Sequence, residues 1–166
     1  MHSVHKTHLD QLDKAAQKFL KLWLGIPARG CTSAGIFSHF LLGVTPVSQV
    51  YLEGHLGAYL NSKLVADQDT LEALKCTEMR EGQWSHKSST TVQCRKMMDD
   101  MREEQECFIP TTDNTNTFEA TVRVELPAIK KVAKQKVARL FKEKAEEDAS
   151  KIPFQGALLT LLAQEK

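Results

Sequence analysis

Two groups of residues in this chain carry chemistry of their own: a pair of adjacent carboxylates, and three closely spaced histidines. Met97-Met98-Asp99-Asp100-Met101 holds the carboxylate pair, the ligand type with which phosphoryl-transfer enzymes bind two divalent ions. Such a pair works at a hairpin turn between apolar strands, beside a third carboxylate. Here Gln93, Arg95 and Lys96 precede it, and Arg102, Glu103, Glu104 and Glu106 follow. Without a strand pattern around it, the run reads as the solvated face of a helix over 90 to 106. His2, His5 and His8 share an i, i+3, i+6 spacing. They would converge only on a helix reaching residue 2, and a zinc site needs a firmer frame. A frayed terminus is the expected reading.

There is no phosphate-cradling glycine loop, no G-x-S-x-G, no H-E-x-x-H and no Cys/His knuckle. The expectation is therefore no catalytic residue, no metal ligand, no cofactor and no small-molecule substrate. The chain as given is expected to catalyse nothing by itself.

Lysines remain as candidates. Lys14, Lys18 and Lys21 fall on one side of a helix whose other side carries Leu12, Phe19 and Trp23. A second cluster, Lys130, Lys131, Lys134, Lys136 and Arg139 with Lys142 and Lys144, opens a long helix that closes on Glu143, Glu146, Glu147 and Asp148. Basic residues first and acidic residues last oppose the helix dipole. Phosphate contact and an incidental solvated face both account for such clusters.

The elements that must position these lysines are helices. Leu9, Leu12, Ala16, Phe19, Leu20 and Trp23 make one helical face, on which Trp23 reads as a core anchor. Gly25 suits the left-handed position past the helix end, and Pro27 forbids continuation. Thr45 as N-cap and Pro46 at the first helical position restart a helix. Its two apolar faces, Val47, Val50, Tyr51, Gly54 and Ala58 on one side and Leu52, Leu56, Leu60 and Leu64 on another, predict packing between neighbours. A third helix is expected from Asp69, in a capping-box spacing with Glu72, to Gly82. The following loop contains Trp84, which either pins the loop from beneath or contacts a partner.

Phe108-Ile109-Pro110 closes the fourth helix, and TTDNTNT at 111–117 is the expected linker. Phe118 to Glu125 is ambiguous: TVRVEL alternates like a strand, yet FEATVRVELPAIKK can also run as helix with a kink at Pro127; with no second strand to pair, helix is expected. Beyond it Ile129, Val132, Ala133, Val137, Leu140, Phe141, Ala145, Ala149 and Ile152 form one stripe, and a short apolar helix is expected in ALLTLLA at 157–163. The fold expected is all-α, an irregular bundle of five to six helices with a long C-terminal amphipathic helix.

The order Leu9-x-x-Leu12-Asp13, Lys21-x-Trp23-Leu24-Gly25-Ile26-Pro27, then Gly43-Val44-Thr45-Pro46-Val47-Ser48 and a tyrosine-containing helix resembles the segment after the polymerase core in reverse transcriptases of non-LTR (LINE-like) retrotransposons. The match runs from 9 to 60 and extends to REGQWSHKSST at 80–90. The resemblance implies a thumb-like helical domain at 1–110, the linker at 111–117 and a long amphipathic region at 118–166, without the catalytic palm. It further implies phosphate contacts to an RNA–DNA or RNA duplex through the lysines above, with sequence-independent grip. In a thumb parted from its palm, the surface around Trp23, Phe37 and Phe40 would be laid open.

Composition bounds the alternatives. The 166 residues suffice for a real core, and a net charge of +1 conceals six Lys/Arg against ten Asp/Glu over 67–110. That acidic middle argues against one continuous nucleic-acid groove. No apolar run approaches the roughly 20 residues of a membrane span, and MHSVHKTHLD has no apolar core of a secretory signal. Four widely spaced cysteines without C-x-x-C fit a reduced intracellular protein. A helical interaction module that pairs its long helix with a partner or a second copy is the alternative function.

Overall fold

A computed structural model describes residues 6–23, 25, 39–40, 42–65, 67–83, 90–107, 109 and 115–151. Within them lie five helices: α1 Lys6–Trp23, α2 Val47–Leu64, α3 Gln68–Gln83, α4 Thr90–Glu103 and α5 Thr115–Ser150. The chain is all-α with a long C-terminal helix, as its periodicity predicts, and the described residues include no strand. His2, His5, Phe37, Trp84, Ile152 and the 157–163 segment lie outside the described residues.

The chain divides into two compact units, one of Thr7–Val50 and Val137–Lys166, the other of Met1–Lys6 and Tyr51–Lys136. In the first, α1 buries Leu9 and Asp13 and leaves Leu12, Phe19, Leu22 and Trp23 exposed. Trp23 is therefore no core anchor, being 75% exposed. The cause is a bond that local pattern does not show. Asp13 Oδ1 accepts the Ser48 N–H at 3.1 Å, and Asp13 Oδ2 accepts the Ser48 hydroxyl. That carboxylate takes the capping role expected of Thr45 and holds the start of α2 from 35 residues away. One residue is about 100° of helix. With Asp13 turned inward, Leu9 follows it, and the flank carrying Leu12, Phe19 and Trp23 faces out.

Two glycines take left-handed positions, Gly25 as the chain pattern predicts and Gly43 without such a signal. Gly25, at φ 69°, ends α1 with its N–H donated to the Leu22 carbonyl at 3.1 Å. Gly43, at φ 64°, closes the turn that carries His39: Gly43 N–H donates to Phe40 O at 3.1 Å and Val44 N–H to His39 O at 2.9 Å. This paired bonding satisfies the last carbonyls before α2 begins.

In the second unit α2 buries Leu52, Leu56, Tyr59, Leu60 and Leu64. The other predicted face stays open, since Val47, Val50, Gly54 and Ala58 are exposed. This helix is buried on one side, not two. The cap of α3 also differs: Asp67, not Asp69, accepts the Thr70 N–H at 2.8 Å, so the helix starts one residue before Asp69. That bond holds the Asp67 carboxyl below its ordinary range. Helices α3 and α4 pack together, and α4 contributes Cys94, Met97, Met98 and Met101 to the core.

α4 ends earlier than Phe108, at Glu103, by the same paired bonding seen at Gly43. Glu106 N–H donates to Met101 O and Gln105 N–H to Arg102 O, both at 3.2 Å, with Gln105 at φ 52°. A side chain in that conformation is strained by about 1 kcal/mol or more. Gln105→Gly is therefore expected to raise stability by up to about 1 kcal/mol, read as a higher urea midpoint at unchanged m value.

Buried thiols give a second expected result. Cys94 is fully buried, and burial pushes its thiol up to about 12, whereas Cys76 is exposed. Brief alkylation near neutral pH, mapped by mass spectrometry, is expected to modify Cys76 and spare Cys94 until the chain is unfolded.

α5 runs unbroken past Pro127, so the alternating TVRVEL stretch is helix. Its core residues Ile129, Ala133, Val137, Ala145 and Ala149 are spaced by multiples of four. Each such step advances about 40° around the helix. The predicted stripe therefore winds, which leaves Leu140 exposed and Lys136 on the buried side.

Candidate nucleic-acid interface

Each unit holds its own share of the candidate cations. In the Thr7–Val50 and Val137–Lys166 unit, Lys14 and Lys18 are exposed on α1 and Lys21 is half-buried. Inward anchoring of Asp13 decides this. It turns the lysine edge of α1 to solvent, separate from the apolar row of Leu12, Phe19 and Trp23. Arg139, exposed on α5, belongs to the same unit.

In the other unit the cluster on α5 is split by its partners. Lys131 is exposed, and Lys130 half-buried. Lys134 is largely exposed and pairs loosely with Glu53 at 3.6 Å. Lys130 and Lys134 line a shallow groove of about 420 Å³ together with Gly54, Gly57, Ala58 and Asn61 of α2. The open face of α2 thus has two ammonium groups one helical turn apart beside a stretch of small side chains.

Lys136 stands apart. It is 5% exposed, and its Nζ donates to Glu104 at 2.8 Å and Glu106 at 3.2 Å. Burial alone would lower its ammonium, but the bonds to Glu104 and Glu106 outweigh it and the net shift is upward. Enclosed by two carboxylates, Lys136 offers no charge to a phosphate. Lys136→Gln is expected to lower the melting temperature and leave nucleic-acid affinity unchanged, by thermal unfolding and by titration.

Asp99 and Asp100 sit on α4, not at a hairpin turn. Asp99 is flanked by Arg95 and Arg102, each at 3.9 Å. Among the described residues no group of three or more His, Cys, Asp or Glu could hold a metal ion.

Polar groups overlooked in sequence are buried in both units. Tyr59 donates its hydroxyl to Glu78 at 2.6 Å, and Lys63 pairs with the same carboxylate at 2.9 Å while lying 5.7 Å from the Tyr59 ring centre. Burial first, then the Glu78 bond, push the Tyr59 phenol well above its ordinary range. His55 meets the Thr91 hydroxyl at 3.5 Å and stacks on Tyr51. His39 is 1% exposed. Its Nε2 lies 3.4 Å from the Asp13 carbonyl, and Nδ1 has no partner. No periodicity singles out His39, because the turn that buries it depends on Gly43.

No family model, no curated protein and no solved structure matches this chain. Among the described residues no helix is long and apolar enough to cross a membrane.

Proposed function

We propose that the chain is a nucleic-acid-gripping helical segment, akin to the thumb and post-thumb region of a non-LTR retrotransposon reverse transcriptase, that holds a duplex and performs no chemistry itself. The observation that carries this reading is the edge of α1 with Lys14, Lys18 and Lys21, two of them exposed, within the stretch where the ordered resemblance lies. Lys130, Lys131 and Lys134 in one unit and Arg139 in the other supply further phosphate contacts. Ammonium groups on flexible stems neutralise backbone charge without reading bases. RNA–DNA hybrids of unrelated sequence are thus expected to bind alike, and an RNA duplex comparably. Fluorescence anisotropy with two such hybrids tests this; marked preference for one sequence would refute a phosphate-only grip. Cys76, Cys94 and Cys107 are free thiols, in keeping with a reducing intracellular setting.

A second reading has an observation of its own. Leu12, Phe19, Leu22 and Trp23 leave an apolar row open along α1, a surface that favours helix–helix self-association. Light scattering that reports a monomer at high concentration would remove it.

A further inference from the structure

The unit of Thr7–Val50 and Val137–Lys166 contains a cleft of about 410 Å³ that shares only Arg139 with the duplex grip. Its size lies in the range of small-molecule sites, about 300–1,000 Å³. Around it stand two aromatic rings, two cations and a buried imidazole with an unsatisfied nitrogen. We infer that the cleft lined by His39, Phe40, Gln49, Arg139, Phe141 and Lys142 binds a nucleotide: a planar base carrying a hydrogen-bond donor, joined to a phosphate.

Each element of that ligand follows from a residue. A carbonyl oxygen can only accept, so the contact from His39 Nε2 to Asp13 O puts the ring hydrogen on Nε2. Nδ1 is then a bare acceptor, buried and without a donor. A base N–H or exocyclic amino group would supply one once the imidazole turns toward the cleft on binding, since Nδ1 is shielded in the unliganded chain. The half-buried rings of Phe40 and Phe141 offer apolar surface on which a planar base stacks. Arg139 and Lys142 stand three residues apart on α5, hence one turn apart on one side. A guanidinium fork beside an ammonium suits a phosphate. Gly43, at φ 64°, shapes the same wall and sets the turn that carries His39.

Such a ligand goes beyond the expectation of no small-molecule substrate, and the cleft needs none of the lysines of α1. Calorimetric titration of the full chain with adenosine 5′-monophosphate, adenosine and inorganic phosphate tests it. The monophosphate is expected to bind at least about tenfold more tightly than either part alone. Arg139→Gln with Lys142→Gln is expected to remove that advantage and leave adenosine binding unchanged. Nitrogen NMR of His39 in the unaltered chain gives a readout independent of folding of the variants, with Nδ1 shifting as it gains a donor from the monophosphate or adenosine. Phosphate alone binding as well as the nucleotide, or an unmoved Nδ1 at saturation, would overturn the inference.

Discussion

Tyr59→Ala is expected to lower stability by about 3–5 kcal/mol, the range for removing a large buried aromatic side chain. Tyr59 is fully buried on α2, on the same side as Leu52, Leu56 and Leu60. Its ring fills volume that the neighbouring helices cannot wholly reclaim, and its hydroxyl donates to Glu78. Tyr59→Phe separates the two contributions. It keeps the ring and is expected to lose only about 0.5–1.5 kcal/mol, because Lys63 still satisfies Glu78. Urea unfolding of both variants checks the ratio; equal losses would mean that the hydroxyl, not the ring, holds the helices together.

The same residue sets a pH limit. An acid whose folded form is held protonated adds stability that is whole below its unfolded value and fades as pH rises beyond it. For Tyr59 that value is 10.0, and for Cys94 it is 9.0, with the folded thiol reaching about 12. Cys94 therefore weakens the fold from 9.0 upward, by up to about 1.4 kcal/mol for each pH unit. Cys94→Ala is expected to flatten the decline between 9 and 10.

Lys14→Glu with Lys18→Glu carries the second large expectation: a loss of hybrid affinity of at least about tenfold, with the helical signal retained. Both side chains are exposed on α1, so reversal removes two attractions and adds two repulsions without disturbing the core. Affinity in the double variant equal to that of the unaltered chain would assign those lysines to solvent.

Much of the helical layout could be read directly, because glycine and proline act through their own backbone limits. Gly25 and Pro46 mark the end of α1 and the start of α2 where they should, and Gly43 takes a left-handed turn of its own. The strand-like TVRVEL runs as helix in α5, as the want of a second strand to pair with it predicts. Side-chain bonds between distant residues left no such mark. Asp13 looks like one acid on a mixed helix until Ser48 is found beside it, 35 residues on; with Asp13 held inward beside Leu9, Trp23 faces out. Lys136 likewise shares its type and neighbourhood with Lys134, yet the i+4 winding of the buried row puts one against Glu104 and Glu106 and the other largely in solvent. Sequence periodicity fixed to one face cannot distinguish them.

On the proposed reading, exposed ammonium groups, not side chains that read bases, hold a nucleic acid. The most direct measure of that grip is the slope of log affinity against log salt for the full chain and an RNA–DNA hybrid. Contacts from Lys14, Lys18, Lys21, Lys130, Lys131, Lys134 and Arg139 predict a slope of about −6, with binding detectable at about 50 mM salt and largely lost by about 200 mM. A flat slope, or no binding at about 50 mM salt, would contradict it.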